Sequence, residues 1–286
     1  MDYLVSPDWL EDNRSHPDLR ILDCTVVFER TDGILTVEGG LGRWASGHIP
    51  GSHHLDLLED LADPMTELRF MMPPIGQIVS VLEPLGVGEG TRVVLYDSDK
   101  NMWAARVWWM LRSLGFDDAA VLDGGLKRWA SEGRLVSTVP SPKPPRARFV
   151  PRPQSGFFVD KAEVLAAIQD DDTCIVNALS QTQHNGENDD YGRRGHIPGA
   201  LNVPAASLVD DDTHAYIAPE KLRERFSHVL DSGATKTITY CGGGISASSN
   251  AFVLSLLGVN HVAIYDASMG EWGYDHSLPL VDRSAE

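Results

Sequence analysis

The 286-residue chain is long enough for two domains of ordinary size, and 42% hydrophobic with 23% charged residues reads as a soluble globular protein. It contains no apolar run approaching roughly 18 residues, which excludes a membrane-spanning helix. The net charge of −17, from 41 acidic against 24 basic side chains, excludes long-range attraction to nucleic acid or an anionic membrane surface.

The first residues, MDYLVSPDWLEDNRSHPDLR, are acidic and have no basic flank or apolar stretch of the secretory kind, so the expected location is cytoplasmic. A short β-branched and apolar run follows at Arg20–Asp23, with Cys24 beside it, and then the segment GHIPG at Gly47 to Gly51. Further strands are expected at Val93–Tyr96, Cys174–Asn177 and Thr237–Tyr240, alternating with amphipathic segments at Ala104–Leu114 and Ala247–Leu257. Gly115 and Gly258 are placed to terminate those two helices. Alternation of this kind predicts an α/β fold built on mainly parallel sheets.

The chain repeats itself. GHIPG recurs at Gly195 to Gly199, TRVVLYD (Thr91 to Asp97) aligns with KTITYC (Lys236 to Cys241), and AAVLDGGLKRW (Ala119 to Trp129) aligns with VAIYDASMGEW (Val262 to Trp272). The order is kept throughout, so two similar domains are expected, residues 1–137 and 157–286, joined by a Pro-rich linker over 138–156 that cannot propagate helix or a central strand.

Three cysteines, Cys24, Cys174 and Cys241, are widely separated and suit neither a disulfide framework nor a zinc site. Cys24 and Cys174 lie in or beside apolar strands and read as core packing. Cys241 differs, because it ends a strand and is followed by Gly242, Gly243 and Gly244, then Ile245, Ser246 and Ala247 at the start of a helix near Ser246 or Ala247. A loop running from a parallel strand into a helix N-terminus aims backbone N–H groups at one point, which favours an anion and, for a thiol, the nucleophilic thiolate. The glycines let the backbone curl around the sulfur with no Cβ in the way. Cysteine phosphatases use a similar loop but need an arginine after five intervening residues, where this chain has Ala247. The histidines of the two GHIPG segments, His48 and His196, recur without further ligands and read as turn residues, so no metal and no organic cofactor is expected.

Taken together, the paired GHIPG segments, RVWWMLRSLGF (Arg106 to Phe116), VLDGGLKRW, CGGGISAS and VAIYDASMGEW resemble the tandem rhodanese family of thiosulfate and 3-mercaptopyruvate sulfurtransferases over nearly the whole chain. The resemblance implies two rhodanese-like domains, the first catalytically silent because Asp97 stands where Cys241 stands in the second. It also implies a small-molecule sulfur donor, a thiophilic acceptor, and a persulfide on Cys241. Three departures from the family pattern stand out. Its anion-binding arginines fall at Leu179 and Gln183 here, a family histidine falls at Phe70, and the loop CGGGIS carries no charge. Arg193 and Arg194, just before the second GHIPG, are expected either to substitute for those arginines at the substrate, since a guanidinium suits a carboxylate or thiosulfonate, or to be exposed loop arginines. Asp56, in HHLDLLED, matches a family aspartate near the active site and is expected either to orient the donor or to cap a helix. Ser246 is expected either to hydrogen-bond the sulfur or to cap the helix after it. The uncharged loop leans toward a neutral or carboxylate donor over thiosulfate. A slow sulfur-binding or partner-binding module is the alternative that the missing arginines suggest.

Overall fold

In the computed structural model, which describes residues 1–31 and 34–283, the chain divides into two units: Met1–Gln154 with Asp210–Tyr216, and Ser155–Val209 with Ile217–Glu286. The first holds five parallel strands, β1 (Leu4–Val5), β2 (Leu19–Asp23), β5 (Ser52–His54), β6 (Arg92–Tyr96) and β7 (Ala119–Leu122), in the order β1-β7-β6-β2-β5. A separate antiparallel hairpin is formed by β3 (Val26–Thr31) and β4 (Ile34–Gly39). The second unit repeats the sheet with β8 (Phe158–Val159), β9 (Thr173–Asn177), β10 (Leu201–Asn202), β11 (Lys236–Tyr240) and β12 (Val262–Tyr265), in the order β10-β9-β11-β12-β8. Strand for strand, this is the order of the first sheet.

The central strands β6 and β11 are buried from their second residue to their last, as expected where helices cover both faces of a parallel sheet and the strand becomes a continuous apolar run. Each is followed by a 12-residue helix, Met102–Ser113 or Ile245–Leu256. Both helices end on the expected glycines, Gly115 at φ 73° and Gly258 at φ 82°, a left-handed conformation in which a Cβ is costly. The Gly115 and Gly258 amides donate to Arg112 O and Ser255 O.

Details of the repeat agree across the two units. Trp129 and Trp272 are fully buried, and their indole N–H groups donate to Leu135 O (2.8 Å) and Pro279 O (2.9 Å). Tyr96 and Tyr240 end the central strands and accept from the amides of Ile49 (3.3 Å) and Ile197 (3.1 Å). His48 and His196 are buried and donate from Nδ1 to the carbonyls of Trp44 (2.8 Å) and His184 (2.7 Å), each stacked on the ring of the same residue. Their recurrence is thus the recurrence of a packed turn.

The Pro-rich segment has no regular secondary structure, yet it is not a free tether. Arg152 N donates to Leu114 O (2.7 Å), Gln154 N to Ser113 O (2.8 Å), and Arg146 pairs with Glu83 (2.6 Å), so the first unit extends to Gln154 rather than ending at 137. Nor does the sequence announce that Asp210–Tyr216 belongs with the first unit. There Lys100 Nζ reaches Asp211 Oδ1 (2.8 Å), Asn101 Nδ2 donates to His214 O (2.8 Å) and Tyr216 N donates to Asp123 Oδ1 (2.8 Å). No helix among the described residues is long and apolar enough to cross a membrane.

Candidate active site

Strand β11 delivers Cys241 at its carboxyl end, and the residue is only 2% exposed. The helix after it starts at Ile245, one or two residues earlier than the sequence suggested. Its N-cap is Gly244 at φ 80°, with no side-chain cap hydrogen bond, so Ser246 lies inside the first turn and does not cap the helix. The half-buried Ser246 hydroxyl has no partner among the described residues.

The loop is anchored from one side. Cys241 N donates to Ser268 Oγ (3.0 Å), whose own hydroxyl donates to Tyr265 O (2.7 Å), while Met269 N and Gly270 N donate to the carbonyls of Cys241 (3.0 Å) and Gly242 (2.8 Å). Ser268 takes a left-handed φ of 51°, matched by φ 53° at Gly125, its counterpart in the first unit. Strain at a non-glycine residue is maintained here by the bonds that hold Cys241.

With the carbonyls of Cys241 and Gly242 occupied, the amides remain. The six consecutive N–H groups from Gly242 to Ala247 donate to no acceptor among the described residues. The first unit shows what such a loop does when it holds a carboxyl group. There Asp97 takes the cysteine's place, and its Oδ1 accepts from Asp99 N (2.8 Å) and Asn101 N (3.1 Å) while Oδ2 accepts from Trp103 N (2.9 Å) and Ala104 N (2.9 Å). Burial pushes the Asp97 carboxyl up, and the amide of Ala104 leads the interactions that oppose it. Four amides converging on one carboxyl group make this loop a nest of N–H donors filled by its own side chain.

Cys24 and Cys174 are buried in the sheets, as their sequence context implied. Burial, then the charges of Asp23 and Asp97, push the Cys24 thiol well above its usual value, and burial does the same more mildly at Cys174. Neither is poised as a thiolate.

The expected substrate cations separate. Arg193 does not present a free guanidinium: Nε donates to Gly273 O (2.9 Å), Nη1 to Leu278 O (2.9 Å), and Nη2 to Trp272 O (2.8 Å) and Asp275 O (2.7 Å). Four of its five donors are thus spent on carbonyls of the C-terminal segment, which leaves one for a substrate. Arg194 is exposed and has no hydrogen-bond or ion-pair partner among the described residues. Asp56 Oδ1 accepts from Leu58 N (2.8 Å) and Glu59 N (3.0 Å), which makes it the cap of a turn in its own unit.

At the positions of the missing arginines, Leu179 is buried and Gln183 closes a capping box with Ser180 at the start of the helix Gln181–Asn185. Phe70 is likewise a core residue, its ring 5.2 Å from Trp103 and its carbonyl accepting from Arg106 Nη2 (2.7 Å).

One neighbour of the loop escaped the sequence reading. Tyr191 is half-buried with its phenol against Gly242, so closely that a Cβ on Gly242 would overlap the Tyr191 hydroxyl and ring. Among the described residues the hydroxyl has no hydrogen-bond partner. Its one sequence signal is its place two residues before Arg193.

Residues 6–132 and 160–275 each match the rhodanese-like domain. The chain is 31% identical to the probable 3-mercaptopyruvate sulfurtransferase of Pseudomonas aeruginosa, covering 97% of both chains. It is 30% identical to the thiosulfate sulfurtransferase of Rattus norvegicus, covering 94% of this chain and 91% of the relative. Among solved structures, SseA of Escherichia coli, a rhodanese fold of the 3-mercaptopyruvate sulfotransferases, superposes with a TM-score of 0.80 at 28% identity, covering 94% of this chain and 99% of that one.

Proposed function

The chain belongs to the rhodanese-like domain family, and from that premise we propose that it is a sulfurtransferase in which Cys241 carries sulfane sulfur as a persulfide from a small donor to a thiophilic acceptor. The observation that carries this reading is the set of six amides, Gly242 to Ala247, left without acceptors around a buried thiol, in the loop that the first unit closes on the Asp97 carboxylate. An unfilled anion nest at a nucleophile stabilises charge on the sulfur and in the transition state, as an oxyanion hole does in acyl transfer.

The reaction is a double displacement. The Cys241 thiolate attacks the outer sulfur of the donor and forms an S–S bond. With thiosulfate the old S–S bond breaks and its electron pair leaves with sulfite. With 3-mercaptopyruvate the C–S bond breaks, its pair leaves with carbon as the enolate, and protonation gives pyruvate. A thiophile such as cyanide or a thiol then attacks the outer sulfur, and the Cys241 thiolate is released unchanged. The chemistry calls on no metal or organic cofactor. The first unit is the silent partner in this scheme, since Asp97 offers a carboxylate already satisfied by four amides. Arg194 is the cation available to the donor's anionic group once Arg193 is committed to carbonyls.

Intact mass spectrometry tests the reading. Wild type incubated with thiosulfate, or separately with 3-mercaptopyruvate, is expected to gain one sulfur atom and to lose it on adding cyanide, while Cys241→Ser gains none. Equal gain in both proteins, or none in either, overturns it.

A further inference from the structure

The family's arginines are absent where Leu179 and Gln183 stand, which leaves the site around Cys241 short of donors that an uncharged group can supply alongside Arg194. Tyr191 is a side chain that lies on the loop. Its phenol is packed on Gly242, the residue after Cys241, closely enough that no Cβ fits there, and its hydroxyl is without a partner among the described residues. We propose that the Tyr191 hydroxyl donates a hydrogen bond to the outer sulfur of the Cys241 persulfide, with Arg193 as the positioning residue that seats it; this rests on the persulfide reading above.

Three features support it. First, the tyrosine is a donor by default: burial, and after it the charge of Cys241, push the phenol above its usual value, so near neutrality it keeps its proton. Second, the outer sulfur of a persulfide stands about 2 Å beyond Sγ, so it reaches groups that the thiol itself does not, and Tyr191 lies against the very next residue, Gly242. A bond formed only to that outer atom stabilises the loaded state and the transition state leading to it, but not the resting enzyme. Third, the tyrosine is held in place. Its carbonyl packs on Gly273, where a Cβ would clash, and two residues on Arg193 binds the carbonyls of Trp272, Gly273, Asp275 and Leu278. The arginine next to the second GHIPG therefore acts on the site through the tyrosine. A neutral donor aimed at sulfur also differs in kind from a guanidinium fork aimed at the donor's carboxylate or sulfonate.

The test uses full-length wild type and Tyr191→Phe, which keeps the ring on Gly242 and removes the O–H. Both are loaded with thiosulfate, and the persulfide is alkylated with iodoacetamide over a pH series and read by intact mass. A hydrogen bond to the anion favours the charged form, so Tyr191→Phe should move the midpoint of persulfide alkylation up by about one pH unit, a tenfold change. The rate of loading should fall about tenfold as well. Unchanged midpoint and loading rate in a Tyr191→Phe protein that melts like wild type overturns the inference while leaving the persulfide intact. Failure of wild type to load from thiosulfate and from 3-mercaptopyruvate alike overturns the persulfide reading, and this inference with it. A merely structural role for the ring would not move the midpoint.

Discussion

Substituting Gly242 by alanine isolates the contact between the loop and Tyr191. The backbone at Gly242 is not left-handed, so an alanine there meets no conformational penalty and its effect is steric alone. The added methyl would lie 2.6 Å from Tyr191 Cε1 and closer still to Cζ and the hydroxyl. A free tyrosine would swing aside at little cost, but this one is fixed two residues downstream by the four bonds of Arg193 and by its own carbonyl against Gly273. Overpacking of that kind costs about 1–3 kcal/mol. Hydrogen–deuterium exchange of the Lys236–Tyr240 peptide reads the opening free energy of the second unit directly, which avoids assuming one transition for two units. Gly242→Ala should lower that free energy by about 1–3 kcal/mol. In the Tyr191→Ala background the same substitution should cost less by at least about 1 kcal/mol, a coupling well outside the roughly 0.5 kcal/mol scatter of independent sites. Additivity in this cycle, or a Gly242→Ala protein as stable as wild type, would refute the packing described for Tyr191.

Arg193→Ala strips four carbonyls of their charged donor, and with hydrogen bonds to charged groups worth about 1.5–3 kcal/mol before rehydration, the second unit should lose about 2–4 kcal/mol by the same exchange measurement. Arg193→Lys should recover less than half of this, because a single ammonium cannot span the four acceptors; full recovery by lysine would show that charge alone matters. The His184–His196 stack supplies a pH dependence. Burial, then the charge of His196, then that of Arg283, lower His184 to about 4, and its Nδ1 lies 3.2 Å from the Asn177 amide nitrogen that donates to it. The unfolded chain therefore binds the extra proton between about pH 6.5 and 4, so stability should fall as pH falls through that window by up to about 3 kcal/mol. His184→Phe should flatten the dependence in a urea titration at pH 4.5 and 7; an undiminished slope would place the effect elsewhere.

What could be read in the sequence follows from how local each cause is. Strands β2, β6, β9 and β11 begin one residue before the expected positions and end where expected, because a strand buried on both faces must be apolar along its run and the residues flanking it need not be. The Cys241 loop was visible for the same reason, since three glycines between a buried strand and a helix are a local signal. The helix start was displaced because Gly244 caps by conformation, without a side chain that the eye can find. Long-range partners were not legible. Nothing in the segment Asp210–Tyr216 itself points to its bonds with Lys100, Asn101 and Asp123. The carbonyls that Arg193 meets were not legible for a chemical reason: a guanidinium offers the same donors to backbone carbonyls as to a substrate anion, and sequence cannot say which it meets. Tyr191 carries no motif; only the fold places it on Gly242.

The duplication makes the site's logic testable within one molecule. Both units end their central strand in a tyrosine that accepts an amide from the GHIPG turn, and both tie the next residue's carbonyl to the turn after the following strand, Leu126 N to Asp97 O and Met269 N to Cys241 O, at 3.0 Å each. The scaffold therefore presents an anion nest twice. In the first unit the carboxylate has two oxygens, long enough to reach four amides, and the nest is consumed. A thiolate offers one atom on a shorter arm, so in the second unit the amides from Gly242 to Ala247 outnumber what the sulfur can accept. The surplus is room for charge that arrives with a ligand. On this argument the two units differ in how much of the nest the resident side chain fills, and the sulfur atom proposed to be added to Cys241 is a group of a size to fill the rest.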